Sequence, residues 1–191
     1  MRDPEGSLPR GKHPGETMLG SVKKVLIVVG VIAGILVQPI NSEANSLCGA
    51  IQYNDGIPEE IRLDCEDVGA QFGICPELLE AMAYNESRFI PTVRNGKHYG
   101  LMQVNVKIHA ERLEKYGYTE DDMFDPYKNL IVAADYLHEL YETYGDENPI
   151  ILSIYSGNWK AVSTYKEYGF MSVYVEDVLK RSAHYERLHN K

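Results

Sequence analysis

Basic residues are the scarce charge in this sequence: 19 Lys and Arg stand against 28 Asp and Glu, for a net charge of −9. A chain that grips a phosphate backbone carries a basic face, so no nucleic-acid partner is expected. Cysteine is rare, with three in all, at positions 48, 65 and 75. No CxxC pair occurs and no histidine stands at ligand spacing, so neither a zinc site nor any other metal or cofactor is expected. GxGxxG and P-loop patterns are missing, as is the βαβ alternation of nucleotide-binding folds. There is no internal repeat and no low-complexity tract. Tryptophan occurs once and phenylalanine four times, whereas tyrosine occurs 14 times. A ring with an apolar body and a polar tip suits a groove that grips polar ligands such as sugars, and it also fills ordinary cores.

What is present is ordinary for a globular chain: 191 residues, 44% hydrophobic and 25% charged. That length allows one domain with an appendage. The appendage reads as residues 1–44. An uncharged run from Val25 to Val37 follows Lys23 and Lys24 and precedes Ser42-Glu43-Ala44, which is small at both ends. This is the order of a secretory signal peptide cleaved near Ala44. The run is short for a membrane span, which needs about 20 apolar residues, although a retained single-pass anchor is the alternative. Met18 is a candidate start, which would leave residues 1–17 outside the native chain. Residues 45–58 form a lead-in without periodicity, and 59–191 form the domain, long enough for one core. The protein is expected to be exported: secreted, periplasmic or wall-associated. Export permits a disulfide, either Cys65–Cys75 or Cys48–Cys75. Lipidation of Cys48 is disfavoured by the bulky Leu47 before it.

The domain reads as a series of helices. Ile61, Cys65, Val68 and Phe72 are spaced four, three and four apart, one helical face stopped by Gly73. Pro76 suits the first turn of a second helix carrying Leu78, Leu79, Met82 and Ala83. Residues 91–105 hold Pro91, Asn95, Gly96 and Gly100 and are expected to be a loop, with an apolar stretch at Leu101-Met102-Gln103-Val104. Helical spacing resumes from Val106 to Tyr116. Asp125-Pro126 opens the clearest helix, which closes at Gly145. Asn148-Pro149 repeats the start signal before an apolar run from Ile150 to Tyr155, broken by Gly157. A last helix carries Tyr174, Val175, Val178 and Leu179.

One carboxylate is out of place. Glu86 stands four residues after Met82 and seven after Leu79, so a continuous helix points it toward the core side at the helix C-terminus. Desolvation and the negative end of the helix dipole both raise its pKa. A carboxylic acid kept protonated near neutrality can donate its proton to a leaving oxygen. The plainer alternative is a solvated Glu86 just past the helix end. Asn85-Glu86-Ser87 is formally a glycosylation sequon, and its overlap with this helix end marks it as coincidence.

The words around Glu86 recur in order: Glu86-Ser87-Arg88-Phe89, Tyr99-Gly100-Leu101-Met102-Gln103-Val104-Asn105, Asp125-Pro126 with Asn129-Leu130, Tyr136-Leu137, Leu152-Ser153-Ile154-Tyr155-Ser156-Gly157, and Tyr174-Val175 with Val178. Together they resemble the lytic transglycosylase domain of the soluble (SLT) type, related to goose-type lysozyme, over roughly residues 59–180. The resemblance implies a mainly α, α+β lysozyme-like fold: one compact helical domain with a groove for a peptidoglycan glycan strand. It implies Glu86 as the single catalytic acid and base. It places Ser87 near the substrate's peptide or N-acetyl group, and Gly100, Leu101, Met102 and Gln103 along the groove, Gln103 by hydrogen bonding. Tyr155 and Tyr174 are expected close to the carboxylate. Core packing is the plain alternative for Leu101 and Met102.

There are departures from the pattern. Tyr155-Ser156-Gly157-Asn158 stands where the family usually reads Tyr-Asn-Ala-Gly, so Ser156 replaces a sugar-contacting asparagine that Asn158 would supply from a shifted position. The loop RNGKHY at 94–99 is short and basic, and Lys97 and His98 either touch substrate carboxylates or are solvated. Ordinary glycosidases use two carboxylates; this family is known for one, with the substrate's N-acetyl oxygen and C6 hydroxyl completing the chemistry. The product is a 1,6-anhydro-MurNAc end, formed by breaking the MurNAc–GlcNAc β-1,4 bond. Asp135, Glu139, Glu176 and Asp125 are the other carboxylates weighed, and one of them facing Glu86 would favour a hydrolytic muramidase. A non-catalytic wall-binding assembly subunit is the third reading. No wall-binding module is appended, which leaves localisation to a partner such as an envelope-spanning assembly, and a monomer is expected.

Overall fold

The computed structural model describes residues 56–191. The expected signal peptide or anchor, and Cys48, lie outside the described residues. Among the described residues are seven α-helices and a three-stranded antiparallel sheet of two-residue strands. In chain order they are α1 (Glu59–Phe72), α2 (Pro76–Ser87), β1 (Arg94–Asn95), β2 (His98–Tyr99), β3 (Val104–Asn105), α3 (Ala110–Tyr116), α4 (Pro126–Tyr144), α5 (Asn148–Tyr155), α6 (Trp159–Tyr168) and α7 (Val173–Leu188). A 3₁₀ turn at Asp121–Phe124 leads into α4. The mainly helical, α+β fold class expected from the sequence is the one observed.

Helix α2 is the hub, packed against α1 on one side and α7 on the other. Leu79, Ala81, Met82 and Ala83 have no exposure, and Leu79 and Met82 contribute about 1.5–3 kcal/mol each by leaving water. The corner between α1 and α2 is tight. Gly73 takes the left-handed C-cap, and a Cβ on Gly69 would meet the Ile74 carbonyl oxygen at 2.6 Å. Helix α4 starts as the sequence predicts: the Asp125 carboxylate accepts the Lys128 N–H at 3.0 Å, and Pro126 fills the first position. Ile151 and Leu152 of α5 are fully buried, as the apolar run requires.

Several expectations are corrected. Residues 91–105 are not simply a loop. Arg94 pairs with Tyr99 and Asn95 with His98, leaving Gly96-Lys97 as a two-residue hairpin turn; Gly96 has φ 61. Glycine at the first turn position suits a hairpin, so Arg94 to Tyr99 carried a readable signal. The helix expected from Val106 begins only at Ala110. Asn148 does not cap α5: it lies within the helix, and its side-chain oxygen accepts the Tyr141 hydroxyl at 2.6 Å. Helix α6 was not expected, because its apolar positions are few; Asn158 caps it by accepting the Ala161 N–H at 3.1 Å. The Cys65–Cys75 disulfide does not form. Both thiols are free, Cys65 pointing into the core and Cys75 outward.

Candidate active site

Glu86 is in the last turn of α2. The chain leaves that helix abruptly, with Arg88 at φ 57 and Phe89 at φ 62. Two successive non-glycine residues in the left-handed region are unfavourable, so surrounding contacts must hold the turn. Phe89 is buried and meets the Tyr84 ring edge-on at 5.6 Å, so packing secures the turn. The Glu86 carboxylate is largely withdrawn from water. Its Oε1 accepts the Tyr174 hydroxyl at 2.6 Å, across 88 residues of sequence. Burial pushes its pKa above the usual carboxyl value, and the Tyr174 hydrogen bond and the His98 ring pull it partly back. The groups acting on Glu86 are therefore a neutral phenol and an imidazole, with no carboxylate among them.

The loop below the carboxylate is fixed by Asn129, which is fully buried on α4. Its Oδ1 accepts the Met102 N–H at 2.7 Å, and its Nδ2 donates to the carbonyls of Tyr99 at 2.8 Å and Met123 at 2.9 Å. The Asn129 amide thus meets three backbone groups with no donor left over. Gly100 completes the clamp. It has φ 76, and a Cβ there would strike the Met123 carbonyl oxygen and the Asn129 amide, so only glycine fits. No role was assigned to Asn129 from the sequence, because the contacts it makes are long-range.

The expected groove residues divide. Leu101 and Met102 have no exposure, so their side chains pack in the core and do not line an open groove. The Met102 carbonyl accepts the Tyr155 hydroxyl at 2.8 Å, which anchors Tyr155. Burial, then the nearby Glu86 charge, raises the Tyr155 pKa well above its usual value, as it does for Tyr174. Ser87 is buried, and its hydroxyl donates to the Ala83 carbonyl at 3.1 Å within α2. Gln103 sits at φ 49, and its Nε2 donates to the carbonyls of Val93 and Gly100 at 3.2 and 2.9 Å. Its side-chain oxygen remains as an acceptor.

Gln103, Tyr155 and Ser156 share a cleft of about 260 Å³ with His98, Asn105 and Trp159. Asn158 does not join them; it lines a separate hollow with Thr164 and Phe170. The shift proposed for Asn158 therefore does not bring it into the cleft. His98 lies with Nδ1 3.3 Å from the Asn95 carbonyl and Nε2 3.3 Å from the Asn105 amide nitrogen, contacts that suit the Nδ1–H tautomer. His109, also on the cleft wall, meets the Tyr136 ring at 4.7 Å with the two planes tilted by 52°. Burial, then the Arg112 charge, lowers its pKa to about 4, so it is neutral near neutrality.

The other carboxylates weighed from the sequence are engaged elsewhere. Asp135 pairs with Arg112 at 3.0 Å and Lys115 at 2.6 Å, and Glu139 also pairs with Arg112. Glu176 pairs with Lys180 at 3.0 Å, and Asp125 caps α4. Among the described residues, no group of three or more His, Cys, Asp or Glu side chains is placed to hold a metal ion.

Solved structures share this architecture, two of them lytic transglycosylases. One is an inactive mutant of the lytic transglycosylase Slt from Pseudomonas aeruginosa, 19% identical, with a TM-score of 0.59 over 68% of this chain and 24% of that one. The other is the 70 kDa soluble lytic transglycosylase of Escherichia coli, 18% identical, with a TM-score of 0.56 over 66% of this chain and 24% of that one. The chain thus spans about a quarter of the length of these proteins, and the likeness defines its class as a lysozyme-like helical domain. The model of the transglycosylase SLT domain matches residues 66–175, more than half of the sequence. The chain belongs to that family. No curated protein matches it.

Proposed function

We propose that this protein is a peptidoglycan lytic transglycosylase in which Glu86 alone serves as general acid and then general base. The observation that carries the reading is the withdrawn Glu86 carboxyl, raised in pKa by burial and held by the Tyr174 hydroxyl at 2.6 Å. The protonated acid gives its proton to the glycosidic oxygen as the bond from MurNAc C1 breaks. The substrate's own N-acetyl oxygen closes on C1 and takes the place of a second carboxylate. Glu86, now anionic, accepts the Tyr174 O–H and removes the proton of the C6 hydroxyl. That oxygen displaces the N-acetyl oxygen from C1, leaving a 1,6-anhydro end. Glu86 finishes protonated, and no water is consumed. The ion pairs and cap that occupy Asp125, Asp135, Glu139 and Glu176 support a one-carboxylate route over a hydrolytic one.

The substrate class implies an envelope location, and export by the N-terminal segment belongs to the same proposal. Among the described residues, no helix is long and apolar enough to cross a membrane. Digestion of purified sacculi followed by mass spectrometry tests the reading. Anhydro ends are expected. Reducing ends would replace it with a muramidase, and no release beside an active control would replace it with a wall-binding subunit.

A further inference from the structure

We propose that the groove beside the α1–α2 corner docks a cationic amphipathic helix of a partner protein. This goes beyond the glycan-cleaving reading and does not depend on it. The groove has a volume of about 720 Å³, inside the range of roughly 300–1,000 Å³ that takes a sizeable ligand. Ile74 and Leu78 line it at the start of α2, and Leu179 lines it from α7. Tyr141 of α4 adds a third side. An apolar slot framed by helices is the form that receives the apolar face of another helix. Leu78 and Glu86 are eight residues apart on α2, roughly 12 Å along its axis, so the occupant and a glycan have separate seats.

Charge selects the occupant. Glu142, Asp146 and Glu186 line the groove, and no Lys or Arg does. Among the described residues Asp146 and Glu186 form no ion pair, and Glu142 meets only the His138 ring, at 3.6 Å. Lys191 is already taken by Glu77 at 2.7 Å. Three unneutralised carboxylates around an apolar floor repel an acidic partner and attract Lys or Arg set beside an apolar stripe. A second copy of this chain, itself at −9, is therefore the poorer occupant.

The probe is a fluorescent Leu/Lys peptide with leucines at i, i+3, i+4 and i+7, compared with its Leu/Glu counterpart. Anisotropy titrations with the full chain are expected to saturate with the first and not with the second. Glu142→Lys combined with Asp146→Lys is expected to weaken binding at least tenfold. Both side chains are exposed, so the melting temperature and sacculus cleavage are expected to hold. Glu111→Lys with Glu114→Lys makes the same change of net charge on α3 and is expected to bind as the wild type does. Ala183→Trp, which fills the groove from α7, is expected to abolish binding. Cys75 gives a local readout. It is an exposed thiol on the groove wall, and the Leu/Lys peptide is expected to slow its alkylation at least fivefold by mass spectrometry. No saturable binding, equal binding of the Leu/Glu peptide, equal weakening by the α3 pair or an unprotected Cys75 would overturn the docking site. So would a concentration-dependent dimer that Ala183→Trp abolishes, which would give the groove to a second copy. None of these results touches the Glu86 assignment, which sacculus digestion tests separately.

Discussion

Helices α2 and α7 meet at both of their ends, and each meeting buries acidic groups from α2. At the N-terminal end of α2, Glu77 and Glu80 are 1% and 0% exposed against the C-terminal turn of α7. Glu77 receives the His189 Nδ1 at 3.0 Å and the Lys191 Nζ at 2.7 Å, and His189 lies 3.9 Å from Glu80. Burial works to raise the Glu77 pKa, but hydrogen bonds from Lys191, Cys75 and His189 overcome it and hold the value at about 2. At the C-terminal end, Glu86 meets the first turn of α7, which offers the neutral Tyr174 hydroxyl. There burial wins and the pKa rises. The helix dipole adds to the contrast, favouring charge at the N-terminus and opposing it at the C-terminus. Where cations are supplied the buried carboxyl is held ionised, and where a phenol stands opposite the carboxyl its pKa is raised. A cavity of about 720 Å³ opens at the ionised end, near Cys75 and Leu78, and shares no wall with the cleft lined by Gln103 and Tyr155.

Neutralising one carboxyl at a time sharpens this contrast. Glu86→Gln is expected to lower sacculus cleavage by about 10²–10⁴-fold, the usual worth of a general acid, without lowering the melting temperature at neutral pH. Glu77→Gln is expected to do the reverse. It leaves His189 and Lys191 facing a neutral amide, costs about 2–3 kcal/mol in chemical denaturation, and keeps the activity per folded molecule. Equal losses of activity in the two variants would erase the distinction.

Tyr174→Phe probes the phenol's share. Removing a hydrogen bond that favours the anion should move the alkaline limb of the pH–rate profile upward and reduce the rate roughly tenfold, about 1.4 kcal/mol. A limb that moves down would break the assignment. The smallest effect lies in stability against pH. Glu77 has a folded pKa of about 2, below the usual 4.5, so its stabilisation is complete above 4.5 and is lost as pH falls from 4.5 toward 2. Glu86 has the opposite sign. Its folded pKa is raised, so the folded state holds the proton longer, and stability declines as pH rises above the usual carboxyl value of 4.5 toward the raised one. Thermal melts over pH should lose the acid limb in Glu77→Gln and the alkaline-going decline in Glu86→Gln.

Helix positions were largely legible because their signals are local. The spacing of Ile61, Cys65, Val68 and Phe72, the proline after Asp125 and the stops at Gly73 and Gly145 each act within a turn or two. Glu86 was visible for the same reason, as a carboxylate in phase with Leu79 and Met82. The Leu101-Met102 side chains stayed open between groove and core because an apolar pair in a loop reads alike whether it floors a groove or fills a core; both are buried. The Arg94–Tyr99 hairpin was missed although Gly96 marked it. His98, left between solvent and substrate, lines a cleft with Gln103 and Tyr155, a placement that depends on contacts far apart in sequence.

The sequence by itself determined where most of the chain coils and which carboxyl lies on the wrong face. Only the tertiary structure decided what stands opposite each buried acid: Tyr174 against Glu86, 88 residues away, and His189 against Glu77, 112 residues away. Spacing within a helix fixes the direction of a side chain. Its proton affinity depends on whichever group another helix brings within about 3 Å, because the field of a charge or dipole in a dry interior falls off with distance through space and not along the chain.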